Sequence, residues 1–207
     1  ALGCLDIALK QKLPCVHLVE SAGVDLPNYS VKLWSKFGSV FYKKAKLSAA
    51  GIPVIAILHG FSTAGGAYQI GMSDYVIGVK GNGMAALAGS ALLRAATGEN
   101  ATNSDIGGVE MHSVVTGSVE YLVNDDAESI ITVRKLIDQL NWNENDAQKT
   151  TLNFEDPEYP IEDLVGIVPT DYSKGYDVRE VIARLVDQSI TIELKPKYGI
   201  SMECAHA

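Results

Sequence analysis

The segment from Ile52 to Tyr68 constrains the fold of this chain more than any other stretch of its sequence. It reads Ile-Pro-Val-Ile-Ala-Ile-Leu-His-Gly-Phe-Ser-Thr-Ala-Gly-Gly-Ala-Tyr. The apolar run Val54 to Leu58 is rich in β-branched residues and is typical of a buried parallel strand. The small residues that follow it predict a sharp turn into a helix that begins near Ala64. The sequence therefore predicts a strand, a glycine turn and a helix in direct succession.

Two glycines of this unit, Gly65 and Gly66, fall where the predicted helix begins. The first N–H groups of a helix have no intrahelical partner, and the helix dipole adds positive potential at the same end. Without side chains in front of them, these groups suit an oxygen that becomes negative during a reaction. A turn in which the glycines are purely structural is the alternative at this point.

Composition places the chain among globular proteins with one domain. It has 207 residues, of which 47% are hydrophobic, and a net charge of −8, which argues against a nucleic-acid surface. No apolar stretch is long enough to span a membrane. The three cysteines lack metal-ligand spacing and favour a reducing compartment. The densest basic cluster is predicted to be a solvated helix face; it consists of Lys43, Lys44 and Lys46.

Helical and extended patterns alternate along the chain. The predicted helices are Leu2–Gln11, Val31–Ala50, Ala91–Thr97 and Ala127–Leu140, and the predicted strands are Cys15–Val19, Val54–Leu58, Tyr75–Val79 and Met84–Ala88. A polar segment, Asn141–Pro160, is typical of a linker. Asp177 to Glu180 predicts a capping box for a helix whose apolar stripe runs from Val178 to Val186. This alternation predicts a layered α/β protein with right-handed crossovers.

Many ordered motifs then give a specific resemblance. They include Leu13-Pro-Cys-Val-His-Leu-Val-Glu-Ser-Ala-Gly23, Thr63-Ala-Gly-Gly-Ala-Tyr68, Leu87-Ala-Gly89, Ala95-Ala-Thr-Gly-Glu99, Asp105-Ile-Gly-Gly108 with His112, and Leu164-Val-Gly-Ile-Val-Pro169. The chain resembles the carboxyltransferase (β) subunits of biotin-dependent acyl-CoA carboxylases. Its motif variants are closest to those of methylcrotonyl-CoA and geranyl-CoA carboxylases.

The resemblance implies a fold and a domain organisation. The expected fold is the crotonase-like (ClpP/crotonase) ββα spiral of the α/β class. Residues 1–207 would form most of the N-terminal carboxyltransferase domain, and the second, C-terminal domain would be absent from this chain. We therefore expect the sequence to be part of a longer polypeptide that assembles into a homo-oligomer.

The resemblance also implies a reaction and its site. Carboxybiotin would release CO2, its ureido nitrogen would remove a substrate proton, and the acyl-CoA enolate would capture the CO2. Backbone N–H groups of two glycine loops would hold the thioester oxygen, at Gly23, Val24, Gly65 and Gly66. The expected substrate-binding residues are Ala22, Ala64, Ala67, Tyr68, Ala88 and Gly89.

The partners and the location follow from the same resemblance. The chain has no Ala-Met-Lys-Met sequence, so biotin would arrive on a biotin carboxylase/biotin carboxyl carrier subunit. We expect coenzyme A binding but no metal, nucleic acid or membrane. The expected compartment is the bacterial cytoplasm or the mitochondrial matrix.

Departures from the family pattern leave alternatives open. The stretch Ala86–Ala91 lacks the two prolines and the aromatic residue that family members carry beside the acyl pocket, so the acyl preference stays open. A loose nucleophile-elbow pattern would make Ser62 the nucleophile of a serine hydrolase, with His112 or His206 as the base. A third possibility is a non-catalytic assembly module of the same fold. His17, His59 and His112 are expected to be structural.

Overall fold

The computed structural model describes residues 2–21, 26–140, 142 and 154–207. These residues form two compact units, a first unit of Ala1–Lys135 and a second unit of Leu136–Ala207. The division falls within one helix, α7. Most of the predicted linker, residues 141 and 143–153, lies outside the described residues, and so does the loop 22–25.

A parallel sheet organises the first unit. Its strands are Cys15–Ser21 (β1), Val54–Thr63 (β2), Tyr75–Val79 (β3), Met84–Ala86 (β4) and Tyr121–Val123 (β5). The order is β1-β2-β3-β5, and all of these neighbours are parallel. Residues Val54 to Leu58 are fully buried, as their β-branched apolar character predicts.

Strand β2 is longer than the sequence predicts, and the extension places the glycine turn. Its first half pairs with β1 and β3, whereas Phe61, Ser62 and Thr63 pair with β4. The mixed residues after Leu58 give no strand signal of their own, because their pairing partner is distant in sequence. The predicted strand Met84–Ala88 ends two residues earlier, at Ala86.

Two helices of the first unit lie in crossover connections, one from β1 to β2 and one from β2 to β3. The bounds of the helices in this unit are Leu2–Gln11 (α1), Val31–Ala49 (α2), Gly65–Gly71 (α3), Ser90–Thr97 (α4), Asn103–Gly107 (α5), Val109–Met111 (α6) and Asp126–Gln139 (α7), with a π-helical turn over His112–Thr116. The boundaries predicted for α1, α2, α4 and α7 agree within one residue. Helix α5 was not predicted, although Thr102 and Asp105 form a capping box at its start.

The second unit has short elements, which are Leu164–Ile167 (α8), Val178–Ile182 (α9), Ile192–Glu193 (β6) and Ala205–His206 (β7). The helix predicted to run to Val186 ends at Ile182. Its apolar stripe is not buried: Val178 is 40% exposed and Leu185 is 59% exposed. Without burial, a helix of one turn gains little from extension. The Asp177 side chain accepts from Arg179 N, so the predicted capping box with Glu180 does not form.

Candidate active site

The turn between β2 and α3 has an unusual backbone. Ala64, which precedes the helix, has φ 50° and ψ −119°, a conformation that residues with a Cβ rarely adopt. Holding such a residue typically costs about 1–3 kcal/mol. Its N–H donates to the carbonyl of Ala86 at 3.0 Å, which ties the turn to the end of β4. The turn is therefore fixed by the sheet extension and stores strain where α3 begins.

Helix α3 begins with the predicted glycine pair. The N–H groups of Ala67 and Tyr68 both donate to the carbonyl of Ala64, at 3.1 and 3.4 Å. Gly65 and Gly66 precede them as the first two residues of the helix, where no intrahelical carbonyl is in reach. Two backbone N–H groups without an intrahelical acceptor thus lie at the N-terminal, positive end of α3.

A pair of serines lies under Gly66. Ser21, at the end of β1, and Ser62, in β2, have their hydroxyl oxygens 3.0 Å apart. A Cβ added to Gly66 would collide with Ser21 Oγ and would lie 2.7 Å from Ser62 Oγ. Within the part of the chain that the structure describes, the same addition at Gly65 would meet only Phe37, at 3.8 Å. Gly66 is therefore required for close packing of the turn on the strand ends.

The other predicted donors belong to the loop that follows β1. Ala22, Gly23 and Val24 lie outside the described residues, so their predicted roles stay predictions. Strand β1 ends at Ser21, which contacts Ser62 and packs against Gly66.

An apolar cavity of about 330 Å³ lies beside the turn. Three predicted substrate-binding residues line it: Ala64, Ala67 and Tyr68. Ala86 and Leu87 also line it, and they belong to the stretch that the family resemblance places beside the acyl pocket. Other walls come from residues that the sequence did not single out as substrate contacts, among them Leu58, His112 and Val119. Ala88 and Gly89 are not among the lining residues; Gly89 caps α4 instead, where its carbonyl accepts from the N–H groups of Leu92 and Leu93. Substrate contact at Ala88 and Gly89 stays a prediction.

His112 is a fixed wall of this cavity. Its Nε2 is 2.8 Å from the carbonyl oxygen of Ala85, and its Nδ1 is 2.9 Å from Thr116 Oγ1. Because a carbonyl only accepts, Nε2 carries a proton and donates it to Ala85. With both ring nitrogens engaged, His112 shapes the cavity and is not poised as a base, which agrees with the structural role expected for it.

A buried ammonium group, that of Lys44 in α2, contacts the C-terminal end of α3, and its burial was not predicted from the sequence. Lys44, predicted to be solvated, is fully buried. Its ammonium group donates to the carbonyl oxygen of Gln69 at 2.6 Å and to Ser73 Oγ at 3.3 Å. Desolvation lowers the pKa of Lys44 to about 8. Desolvation and the nearby Lys44 lower the pKa of His17 to about 4, so His17 is neutral at physiological pH.

A second cavity, of about 380 Å³, has a different character. It lies against α4 and α5 and is lined mainly by polar side chains, among them Ser90, Arg94, Glu99, Asn100 and Asp105. Hydrogen bonds from Thr102 lower the pKa of Asp105. This cavity combines both signs of charge and lacks the apolar walls that suit an acyl chain.

The geometry contradicts the serine hydrolase interpretation. Ser62 is fully buried within β2, and its hydroxyl pairs with that of Ser21. A nucleophile elbow instead exposes its serine on the turn that follows the strand. His112, one of the two proposed bases, is held by Ala85 and Thr116.

Two further observations bear on ligands and environment. Within the described ranges, no group of three or more His, Cys, Asp or Glu side chains could hold a metal ion. Across the same residues, no helix combines the length and the apolar character needed to cross a bilayer.

Comparison with known proteins identifies the class of this fold and site. The family model of the carboxyl transferase domain matches residues 2–207. The chain is 41% identical over 204 residues to the mitochondrial methylcrotonoyl-CoA carboxylase beta chain of Dictyostelium discoideum. The matched region is 98% of this chain and 34% of that protein. It is 42% identical over 197 residues to a probable biotin-dependent acyl-coenzyme A carboxylase beta2 subunit of Mycobacterium tuberculosis, covering 95% of this chain and 37% of that protein.

Solved structures agree with this assignment. The beta subunit of geranyl-CoA carboxylase from P. aeruginosa is 40% identical, with a TM-score of 0.61, over 97% of this chain and 37% of that chain. The transcarboxylase 12S subunit, solved with methylmalonyl-coenzyme A and methylmalonic acid bound, is 29% identical, with a TM-score of 0.87, over 99% of this chain and 39% of that chain. The chain belongs to the carboxyl transferase domain family, and its crotonase-like α/β fold is confirmed. It spans little more than a third of the length of the relatives it matches.

Proposed function

We propose that this chain forms the acyl-CoA side of a biotin-dependent carboxyltransferase, which transfers a carboxyl group from carboxybiotin to an acyl-CoA through a thioester enolate. The observation that carries the proposal is the position of the glycine turn. Ala64, Ala67 and Tyr68, which flank Gly65 and Gly66, line an apolar cavity, so an acyl chain in the cavity would bring its thioester to the two backbone donors.

The proposed role of the turn is electrostatic. The thioester oxygen gains negative charge as the enolate forms, and the N–H groups of Gly65 and Gly66 would stabilise it. Losing one such donor typically costs about 3–4 kcal/mol of transition-state stabilisation. By the family resemblance, Gly23 and Val24 would contribute donors from the neighbouring loop, with Ala22 beside them.

The cavity also fits a reaction in which the base comes from outside this chain. Among the described residues, its lining contains one imidazole, that of His112, and no carboxylate. Both nitrogens of that imidazole are already engaged. Carboxybiotin, carried on a partner subunit, would supply both the carboxyl group and the base. The residues of this chain would then bind the acyl group, orient the thioester and hold the enolate.

The substrate class that we propose is an acyl-CoA of the size of a methylcrotonyl or geranyl group. Small side chains line much of the cavity, including Ala64, Ala67, Ala85, Ala86 and Gly71. They leave about 330 Å³, which is enough for several carbon atoms and a branch. Relatives near 40% identity are named for methylcrotonoyl-CoA and geranyl-CoA.

We also propose that the protein works as a homo-oligomer with a biotin carboxylase/biotin carboxyl carrier subunit, and that a second carboxyltransferase domain completes the site. One face of α2 exposes large apolar side chains, including Val31, Leu33, Trp34 and Phe37. Exposed apolar faces of this kind are typical of protein interfaces. Curated relatives include mitochondrial and bacterial proteins, and the proposed location is the mitochondrial matrix or the bacterial cytoplasm.

The test uses the full-length protein assembled with its biotin-carrying partner. Carboxyl transfer is measured with methylcrotonoyl-CoA, geranyl-CoA and propionyl-CoA, and ATP-dependent carboxylation of biotin is measured separately. We expect carboxylated product from at least one of the two larger acyl-CoAs, in preference to propionyl-CoA. An assembled complex that carboxylates biotin but none of these thioesters would instead indicate a non-catalytic assembly module.

A further inference from the structure

Lys44 needs an explanation because a buried ammonium group is costly. It is fully buried in the middle of α2, and its two hydrogen-bond acceptors, a carbonyl and a hydroxyl, are both neutral. No carboxylate lies within ion-pair distance of its Nζ among the described residues. Removing such a charge from water is not repaid by neutral partners, which is why its pKa falls to about 8.

Both acceptors of Lys44 lie at the C-terminal end of α3. The carbonyl of Gln69 accepts from Lys44 at 2.6 Å and from Ser73 Oγ at 2.9 Å. The backbone N–H of Ser73 bonds to the carbonyl of Ile70 instead, so, among the described residues, the donors to the carbonyl of Gln69 are side chains. The side chain of Gln69 lies beside His17 of β1 and acts to raise the pKa of His17, against the larger lowering by burial and by Lys44. The last turn of α3 is thereby fixed to α2 and lies beside β1.

The position of the last turn of α3 also affects the position of its first turn. The helix has seven residues, or about two turns, so its last turn lies only about 10 Å from its first. Its first turn carries Gly65 and Gly66, and Ala67 and Tyr68 line the cavity. A displacement of the last turn is therefore transmitted to the proposed donors and to the cavity wall.

We propose that Lys44 is a positioning residue for carboxyl transfer: its ammonium group holds the last turn of α3 and so sets the place of the Gly65–Gly66 donors, at a cost in stability. This inference rests on the proposed function. It predicts that loss of Lys44 lowers the rate without lowering the stability of the fold. A merely structural residue would lower both together.

The test compares two substitutions on the same helix in the full-length, assembled enzyme. Lys44→Met keeps the length and apolar stem of the side chain and removes the ammonium group. Lys43→Met is the matched control, because Lys43 pairs with Asp6 of α1 and, among the described residues, makes no hydrogen bond to α3. Carboxyl transfer is measured with methylcrotonoyl-CoA, and unfolding is followed at pH 7.

We expect kcat to fall by at least about tenfold in Lys44→Met, since misplacing a reacting group by about 1 Å can cost about a hundredfold. The KM should stay within about threefold, because the donors act mainly on the transition state. The unfolding midpoint should be unchanged or higher, and Lys43→Met should keep the wild-type kcat.

Three results would overturn the inference. One is a folded, assembled Lys44→Met enzyme with wild-type kcat, and another is an equal loss of kcat in Lys43→Met. The third is a Lys44→Met chain that unfolds or loses stability markedly, since Lys44 would then be structural. A wild-type enzyme that carboxylates none of the tested thioesters would defeat the proposed function itself, and this inference with it.

Discussion

The two ends of α3 differ in how their backbone polar groups are satisfied. At the first turn, Gly65 and Gly66 present backbone donors, and Ala64 adopts a strained conformation beside the apolar cavity. At the last turn, the buried ammonium group of Lys44 holds the carbonyl of Gln69. The N-terminal end leaves polar groups available for a ligand, whereas the C-terminal end satisfies them with side chains. Under the proposed function, the fixed last turn would hold the N–H groups of the first turn in place for the thioester oxygen.

The largest expected effect comes from filling the space at Gly66. A side chain there points at Ser21 Oγ and Ser62 Oγ, so Gly66→Val should push the turn away from the strand ends and displace both donors. Gly66 does not have a positive φ, so the clash alone causes the effect. We expect carboxyl transfer to fall about a hundredfold or more while the partner's carboxylation of biotin continues.

A control and a rescue make this prediction specific. Gly3→Val in α1 adds the same side chain at a position where its Cβ would meet no atom of the described residues within 4 Å, and it should keep most of the activity. Gly66→Ala should lose less activity than Gly66→Val and should regain part of the loss when Ser21→Ala removes the closest atom. If Gly66→Val assembles and transfers at the wild-type rate, the turn is structural and is not the site.

The next prediction concerns the pH dependence at the other end of α3. The pKa of Lys44 is about 8 in the fold and near its ordinary value of 10.5 when unfolded. Between these values the unfolded chain binds more protons, so stability should rise with pH from about 8 to 10.5. The free energy of unfolding of the wild type relative to Lys44→Met should increase by up to about 3 kcal/mol over this range.

One neighbouring group opposes this rise. Burial raises the pKa of the Cys15 thiol, so the fold holds that proton more tightly than the unfolded chain does, and this contribution to stability falls as the thiol ionises. Lys44→Met carries the same thiol, so the contribution largely cancels in the difference between the two proteins. His17, with a pKa of about 4, is neutral throughout the range. Asp74 is a carboxylate that accepts from Ser48 Oγ and Val54 N. Denaturant titrations of both proteins at several pH values measure the difference. A difference that stays flat from pH 8 to 10.5 would show that Lys44 is not desolvated in the fold.

The smallest expected effect is that of Ser62→Ala. The site proposed at the first turn uses backbone donors, so loss of this hydroxyl should leave most of the transfer activity. Its bond to Ser21 is worth about 0.5–1.5 kcal/mol of stability. A fluorophosphonate probe should not label the wild-type protein. Stoichiometric labelling that disappears in Ser62→Ala would restore the hydrolase interpretation.

Local signals explain which parts of this site could be predicted. The strand and the glycine pair are contiguous in sequence, and the turn that they predict is present at Ala64 to Gly66. The extension of β2 was not predicted because its partner, β4, lies some twenty residues further on. The pair Ser21–Ser62 joins two strands in the same way and has no local signature.

The burial of Lys44 was not predicted for a different reason. The prediction that it is solvated rested on its charge and did not use its position in the helix. It is four residues after Val40 and three before Leu47, both buried, so helical spacing places it on the buried face of α2. Conversely, Leu33 and Phe37 are apolar and lie four residues apart on α2, yet they are 66% and 42% exposed. The available signal was a lysine at helical spacing from buried apolar residues. It was not used because lysine side chains are rarely buried in proteins.

The most direct test of the account is a structure of the full-length, assembled protein with methylcrotonoyl-CoA or geranyl-CoA bound. We predict that the acyl chain occupies the cavity beside Tyr68 and that the thioester oxygen lies about 2.7–3.1 Å from the backbone nitrogen of Gly65 or Gly66. An acyl chain in this cavity with its thioester oxygen turned away from both nitrogens, or an acyl chain bound elsewhere, would contradict the assignment of α3 as the site of enolate stabilisation.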